Sequence, residues 1–173
     1  MTSKPTIYTQ TYGKKPQIEG VKLIPMKTFV VDEGDFSELF RLTDSGALEM
    51  LPDFTLRQIN RTRVFGGSIK AWHIHTNQEE CWYVPPTDQL MVGLWDLRDT
   101  SATKDVKMKI NLGGGVSQAL YIPVGVAHGL HNLLKRPIEL YYFVSNQFRP
   151  NSPDEKRLHW DEAGADFWKP ERD

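Results

Sequence analysis

The chain has 173 residues, 39% of them apolar, and its 21 Lys and Arg nearly cancel 22 Asp and Glu to leave a net charge of −1. That length suits a single domain, and the balanced charge offers nothing to neutralise a polyanion, which argues against nucleic-acid binding. No apolar run approaches the about 18 residues that a membrane span requires.

The opening Met-Thr-Ser-Lys-Pro-Thr lacks the apolar core of a signal peptide, and the one cysteine, Cys81, cannot form an internal disulfide; the cytoplasm is therefore the expected compartment. Residues 1–20 carry Pro5, Gly13, Pro16 and Gly20 among polar residues. They read as an extended arm that forms a strand against a partner subunit, and residues 21–173 read as the domain proper. Apolar, β-branched or aromatic runs follow at 21–31, 54–59, 68–76, 81–84, 89–97, 105–112, 118–122 and 138–145. The clearest is 105–112. There Val106, Met108, Ile110 and Leu112 alternate with Asp105, Lys107, Lys109 and Asn111, the period-2 pattern of a half-buried strand, until Gly113-Gly114-Gly115 stops it. Turn signals such as Asp32-Glu33-Gly34-Asp35, Pro85-Pro86-Thr87-Asp88 and Pro123-Val124-Gly125 separate the runs. Only 36–42 and 156–165 read as helical, and both are short. Many short strands between tight turns predict an all-β barrel or sandwich with a short C-terminal helical segment.

Candidate chemistry lies in the middle of the chain. His73 and His75, two apart on a predicted strand, leave the same face. Glu80 opens the next strand, and His128 follows the Pro123-Val-Gly turn. His73, His75, Glu80 and His128 together suit a divalent transition ion, because imidazole nitrogens favour such ions over Mg or Ca. Glu79 is the competing carboxylate. His-x-His by itself means little, since two surface or hydrogen-bonded strand histidines are the commoner reading; the complete set is what points to a metal.

Gly67-x5-His73-x-His75-x4-Glu80 resembles the first motif of the cupin superfamily, although its closing glycine is Thr87 here. Pro123-x-Gly125-x2-His128-x3-Asn132 is similar to the second, with Ser117 in place of the leading glycine. The resemblance implies a jelly-roll β-barrel with its ligand in the barrel mouth. Over residues 21–168 the chain also resembles one cupin branch, the dTDP-4-dehydrorhamnose 3,5-epimerase family. The stretches that carry this are Asp96-Leu-Arg-Asp-Thr-Ser101, Leu120 to Gly129, Tyr142 to Pro150, and Leu158 to Gly164 before Trp168. It implies a homodimer and a nucleotide-sugar substrate. It places His73 on the catalytic histidine and Tyr142 on the catalytic tyrosine, with Glu38, Gln58, Asn60, Lys70 and His128 on substrate-contacting positions.

The implied reaction suits these residue types. A 4-keto sugar has acidified protons at C3 and C5, a histidine near neutral pKa can remove one, and a tyrosine on the other face can return one. No organic cofactor is required. Three departures stand out. The family's active-site lysine falls on Cys81, Asp32-Glu33-Gly34-Asp35 replaces an Arg-Gly pair, and the Ser-x-Lys-Asp segment that orients the catalytic histidine has no counterpart. A metal ion on the His/Glu set is a second source of enolate stabilisation, but a metal-bound His73 could not serve as the free base. Epimerisation at C3 and/or C5 is thus the leading expectation. The alternatives are a metal-dependent cupin isomerase or dioxygenase acting on a small polar ligand, and a non-catalytic sugar-binding cupin.

Individual residues also have plain structural roles. Tyr142 fits a core tyrosine, and Gln58 and Asn60 fit partners of buried backbone groups. Glu38 fits a solvated turn and Cys81 an inert buried thiol. Lys70 has the opposite strand parity to His73, so both reach one pocket only if a bulge intervenes. His131 differs in parity from His128 and belongs outside.

Overall fold

The alternating segment at 105–112 and its neighbours form the expected strands in the computed structural model, which describes residues 7–10 and 12–170. In chain order they are β1 (Lys22–Pro25), β2 (Thr28–Val31), β3 (Gly34–Ser37), β4 (Ala47–Leu48), β5 (Leu51–Thr55), β6 (Gln58–Val64) and β7 (Ile69–Ile74). There follow β8 (Glu80–Tyr83), β9 (Gln89–Asp96), β10 (Lys107–Gly113), β11 (Gln118–Ile122), β12 (Val126–His131), β13 (Ile138–Val144) and β14 (Lys156–Arg157). Two five-stranded antiparallel sheets, β1-β11-β8-β13-β6 and β10-β9-β12-β7-β14, face each other as a jelly roll, the cupin architecture; β2-β3 and β4-β5 are separate hairpins.

The two ends of the intersheet space differ because their side chains differ. Leu90, Val92 and Leu94 of β9, Ile110 and Leu112 of β10, and Leu120 and Ile122 of β11 fill one end. Each such side chain contributes about 1.5–3 kcal/mol when fully buried. At the other end β6, β7 and β13 turn mostly polar groups inward, and a cavity remains. The outer faces are also covered. The β4–β5 hairpin lays Leu48, Leu51 and Phe54 beside Cys81, Tyr83, Ala119 and Phe143. A 3-10 turn, Ala165–Trp168, packs Trp168 on Trp72 with ring centroids 4.8 Å apart. Gly129 is required under this cover, since a Cβ there would lie 2.4 Å from that of Ala71.

Several expectations need correction. Residues 156–165 are not helical: β14 pairs with His73 and Ile74 of β7, Leu158 exchanges backbone hydrogen bonds with Trp72, and turns follow. Without this segment β7 would be a bare sheet edge, and its unpaired backbone groups outweigh a weak helical pattern. Only Ala165–Trp168 is helical. The 36–42 segment ends β3 and then runs irregularly, and the 54–59 run breaks at Leu56-Arg57 between β5 and β6. The strand β12, which no apolar run marks in the sequence, begins directly after Gly125, whose φ of 80° closes the turn. Of the N-terminal arm, residues 1–6 and 11 lie outside the described residues, and Ile18 is already in the core.

The body is tied to the segment before β1 by a buried carboxylate. Asp96 accepts from Arg98 Nε (2.8 Å), Arg98 Nη2 (2.8 Å), Ser101 Oγ (2.6 Å) and Thr103 Oγ1 (2.6 Å). Arg98 Nη2 also donates to the Glu19 carbonyl, and the Glu19 N–H donates to Thr103 Oγ1. Burial alone would raise the pKa of Asp96, but these donors overcome it and hold the carboxyl well below its ordinary range. A depressed folded-state pKa contributes stability above the unfolded value, about 3.9, and that contribution disappears as pH falls toward the folded value. Asp96→Asn is therefore expected to lose about 3 kcal/mol at neutral pH and to unfold with a shallower pH dependence below about pH 4, as measured by urea denaturation across that range.

Candidate active site

The site is built around a register slip. On β7 Lys70 pairs with Leu130, and His73 pairs with His128, so three steps on β7 span two on β12. The extra residue is absorbed at Ala71 and Trp72, which both belong to the outer aromatic cover. Lys70 and His73 consequently both line the cavity, the outcome that strand parity alone forbids.

That cavity has a volume of about 780 Å³, within the usual range of small-molecule sites. The first sheet contributes Gln58, Asn60, Glu80, Trp82 and Tyr142 to its wall, and the second contributes Lys70, His73 and His128. His75, one residue beyond β7, and the segment from Asn146 to Lys156 close the rest. His73 and Tyr142 therefore stand on opposite sheets across one space.

The carboxylate of Glu80 is almost fully enclosed. His75 Nε2 is 3.0 Å from its Oε1 and His128 Nε2 is 3.5 Å from its Oε2. Trp82 Nε1 and Gln78 Nε2 donate to it at 2.5 and 2.8 Å. Burial acts to raise its pKa, yet the His128 and His75 rings and the Trp82 donor bring it down to about 2. For His75 burial is likewise opposed and outweighed, here by Glu80, and its pKa is raised.

His73 has different surroundings. Its ring lies parallel to that of His128, with centroids 5.9 Å apart, and Nδ1 is 3.4 Å from Glu155 Oε1. Burial, then the charges of His128 and Arg157, push it down to about 4 against the pull of Glu155. His128 is also lowered by burial. Tyr142 is raised by burial and by the nearby carboxylates of Glu80 and Glu155, so its hydroxyl keeps its proton.

The sequence does not single out Glu155 as the partner of His73. Its neighbour Asp154 explains its placement. The Asp154 carboxylate accepts from the Thr76 N–H (2.9 Å), Thr76 Oγ1 (2.6 Å) and the Asn77 N–H (2.7 Å). This pins the segment over the end of β7. The acidic pair following Pro153 was the only local signal, and nothing in the sequence joined it to His73.

The other expected residues separate. Gln58 donates to Asn60 Oδ1 at 2.7 Å, and both line the cavity. Glu38 does not line it and pairs instead with Arg41 at 2.6 Å. The competing carboxylate Glu79 turns away to bond Tyr121. His131 faces outward, its Nδ1 2.7 Å from the Trp168 carbonyl. The metal set contracts: among the described residues His75, Glu80 and His128 bring ligand atoms within 4.8 Å of one another, and His73 is not part of that group. Cys81, on which the sequence comparison placed the family's lysine, faces the opposite side of its sheet, and Glu80 and Trp82 face the cavity.

The family model for dTDP-4-dehydrorhamnose 3,5-epimerase matches residues 15–170. The spore coat polysaccharide biosynthesis protein SpsL of Bacillus subtilis is 36% identical over 155 residues, covering 89% of this chain and 98% of that protein. The crystal structure of dTDP-4-dehydrorhamnose 3,5-epimerase from Sulfolobus tokodaii superposes with a TM-score of 0.69 at 26% identity, covering 83% of this chain and 79% of that one. NovW, a 4-keto-6-deoxy sugar epimerase from Streptomyces spheroides, shares the fold with a TM-score of 0.74 at 20% identity, covering 95% and 83%.

The orientation of β8 has a simple chemical readout. Burial pushes the Cys81 thiol up to about 12. Cys81 is expected to resist iodoacetamide at pH 8 in the folded protein and to react once the chain is unfolded in urea, as followed by mass spectrometry.

Proposed function

The chain belongs to the dTDP-4-dehydrorhamnose 3,5-epimerase family, a family of isomerases, and we propose that His73 is its catalytic base and Tyr142 its catalytic acid. The substrate is a nucleotide-linked 4-keto-6-deoxy sugar, epimerised at C3 and/or C5. The observation that carries the assignment is the placement of the two groups on facing sheets across one cavity. Inverting a carbon requires a proton to leave one face and another to arrive at the opposite face, and two groups on one strand could not do both.

The C4 ketone acidifies the C3 and C5 hydrogens, because the resulting carbanion delocalises onto oxygen. His73 is neutral at pH 7 and can accept such a proton. Glu155 beside Nδ1 fixes the ring and stabilises the imidazolium as it forms, leaving Nε2 for the sugar. Tyr142 returns a proton from the other side. Lys70 supplies positive charge at the wall, with Nζ 3.4 Å from Thr62 Oγ1, while Gln58, Asn60 and His128 offer polar contacts to the sugar. Proton removal and return exchange no electrons, so the chemistry needs no organic cofactor.

The same reading includes a homodimer in the cytoplasm. The β2–β3 hairpin exposes Phe29, Val30, Val31 and Phe36, each more than half accessible and Val30 82% accessible. Such an apolar patch suits self-association. Among the described residues no helix is long and apolar enough to cross a membrane.

In D2O, the wild-type protein is expected to exchange the C3 and/or C5 protons of a dTDP-linked 4-keto-6-deoxy sugar, followed by NMR. His73→Ala should slow exchange by about 10³-fold, and Tyr142→Phe should keep wash-in of deuterium while losing inversion. Glu155→Gln should lower kcat about tenfold or more at unchanged KM and unchanged Tm, with partial recovery in Glu155→Asp. Exchange that survives His73→Ala at the wild-type rate would sink the assignment. For the dimer, light scattering should give about twice the chain mass, and Phe29→Glu should shift the protein toward the monomer.

A further inference from the structure

We propose that Leu130 and Leu140 form the subsite for the C6 methyl group of the sugar and select a 6-deoxy hexose over its 6-hydroxy counterpart. The two leucines take this role only if the cavity holds the nucleotide-linked sugar proposed above, so the assignment rests on that reading.

Strand register divides the cavity into levels. Tyr142 pairs with Asn60 and Trp82 on one sheet, and His128 pairs with His73 on the other. Toward one end, Val144 is flanked by Gln58 and Glu80. Toward the other, where the 65–68 turn joins β6 to β7, Leu140 pairs with Thr62 and Leu130 pairs with Lys70. Side chains two apart leave the same face of a strand. Leu140 therefore follows Tyr142 inward on one sheet, and Leu130 follows His128 inward on the other. Leu140 is 1% and Leu130 4% exposed, and both line the cavity while belonging to the core cluster behind it. Two residues deeper Ile138 pairs with Val64, and this pair is buried without lining the cavity. On the β6 and β7 side Lys70 Nζ stands 3.4 Å from Thr62 Oγ1 and joins the two sheets. This end of the cavity thus has an apolar floor and is closed behind.

One substituent of the sugar suits such a floor. The hydroxyls and the C4 ketone need hydrogen-bond partners, which Gln58, Asn60, His128 and Tyr142 offer at the other levels. The C6 methyl needs none, and its burial is favourable because apolar surface leaves water. A C6 hydroxyl in the same place would lose its water and find neither donor nor acceptor on the leucines. Thr62 and Lys70, the polar groups of this level, stand on β6 and β7, one strand nearer the sheet edges than Leu140 and Leu130. A leucine on each sheet also fits the stereochemistry. With C5 between His73 and Tyr142, inversion carries the methyl from one side of the ring to the other. Leu140 lies on the Tyr142 side and Leu130 on the His73 side, so the methyl meets an apolar wall before and after the proton transfers.

The test measures binding of two unreactive ligands to the purified full-length protein by calorimetry. These are dTDP-6-deoxyglucose and dTDP-glucose, which lack the 4-ketone and differ from each other only at C6. The 6-deoxy ligand is expected to bind about tenfold or more tightly. Leu140→Ser and Leu130→Ser should each narrow that ratio at least about threefold, because a hydroxyl on the wall gives the C6 hydroxyl a partner. If a variant does not fold, the wild-type ratio decides together with saturation-transfer NMR, in which the C6 methyl should receive the strongest transfer among the sugar protons. Equal affinity for the two ligands, binding of neither, or a ratio unchanged in both folded variants overturns the subsite. The D2O exchange assay keeps the two readings apart. Preference for the 6-deoxy ligand without exchange preserves the subsite and removes the epimerase role, whereas exchange with equal affinities preserves the epimerase and removes the subsite.

Discussion

A carboxylate placed between two sheets is costly unless nearly every lone pair finds a partner, and Glu80 is in that position. It stands on β8 and gathers Trp82 from its own strand, His75 from the end of β7 and His128 from β12. The contacts cross from one sheet to the other at the end where mostly polar side chains face the gap. The hollow end is thus braced by polar contacts, while the filled end is held by apolar burial. Removing any of the partners leaves a buried acceptor exposed to nothing, so the same network that shapes the cavity also fixes the rotamers of the groups around it.

The second constraint is the edge of β7. The strand β7 lines the cavity with Lys70 and His73, so its free edge has to be satisfied without closing that space. Here the edge is capped by only two residues of β14, and the chain leading into them brings Asp154 and Glu155 to the mouth of the cavity. One backbone requirement, satisfying the free edge, therefore delivers the carboxylate that stands beside His73 Nδ1. The register slip against β12 works in the same direction. By sending Ala71 and Trp72 outward together it buries an indole under Trp168 and turns Lys70 inward. Packing on the outer face and the lining of the cavity on the inner face come from the same irregularity.

His73, His128 and Tyr142 were legible from the sequence because each belongs to a motif whose spacing is local, and their convergence on one cavity follows from the jelly roll. The alternation at 105–112 gave strand and buried face together, since period-2 patterning encodes both. Glu155 was not legible, because its partner is more than eighty residues away and the contact depends on how β14 docks. Cys81 was legible as a buried inert thiol among aromatics, but which face of β8 it occupies was not, because one residue is enough to exchange the two faces of a strand. The helical reading of 156–165 failed for a related reason: local pattern carries no information about a distant unpaired edge.

The sequence by itself determined an all-β chain, the inward histidines and tyrosine, and the family, because strand period and motif spacing are properties of neighbouring residues. Only the tertiary structure decided which carboxylate accompanies which histidine. Glu80 goes to His75 and His128, and Glu155 goes to His73. Those pairings depend on sheet register, on a bulge and on edge docking, which are set by packing between segments far apart in the chain.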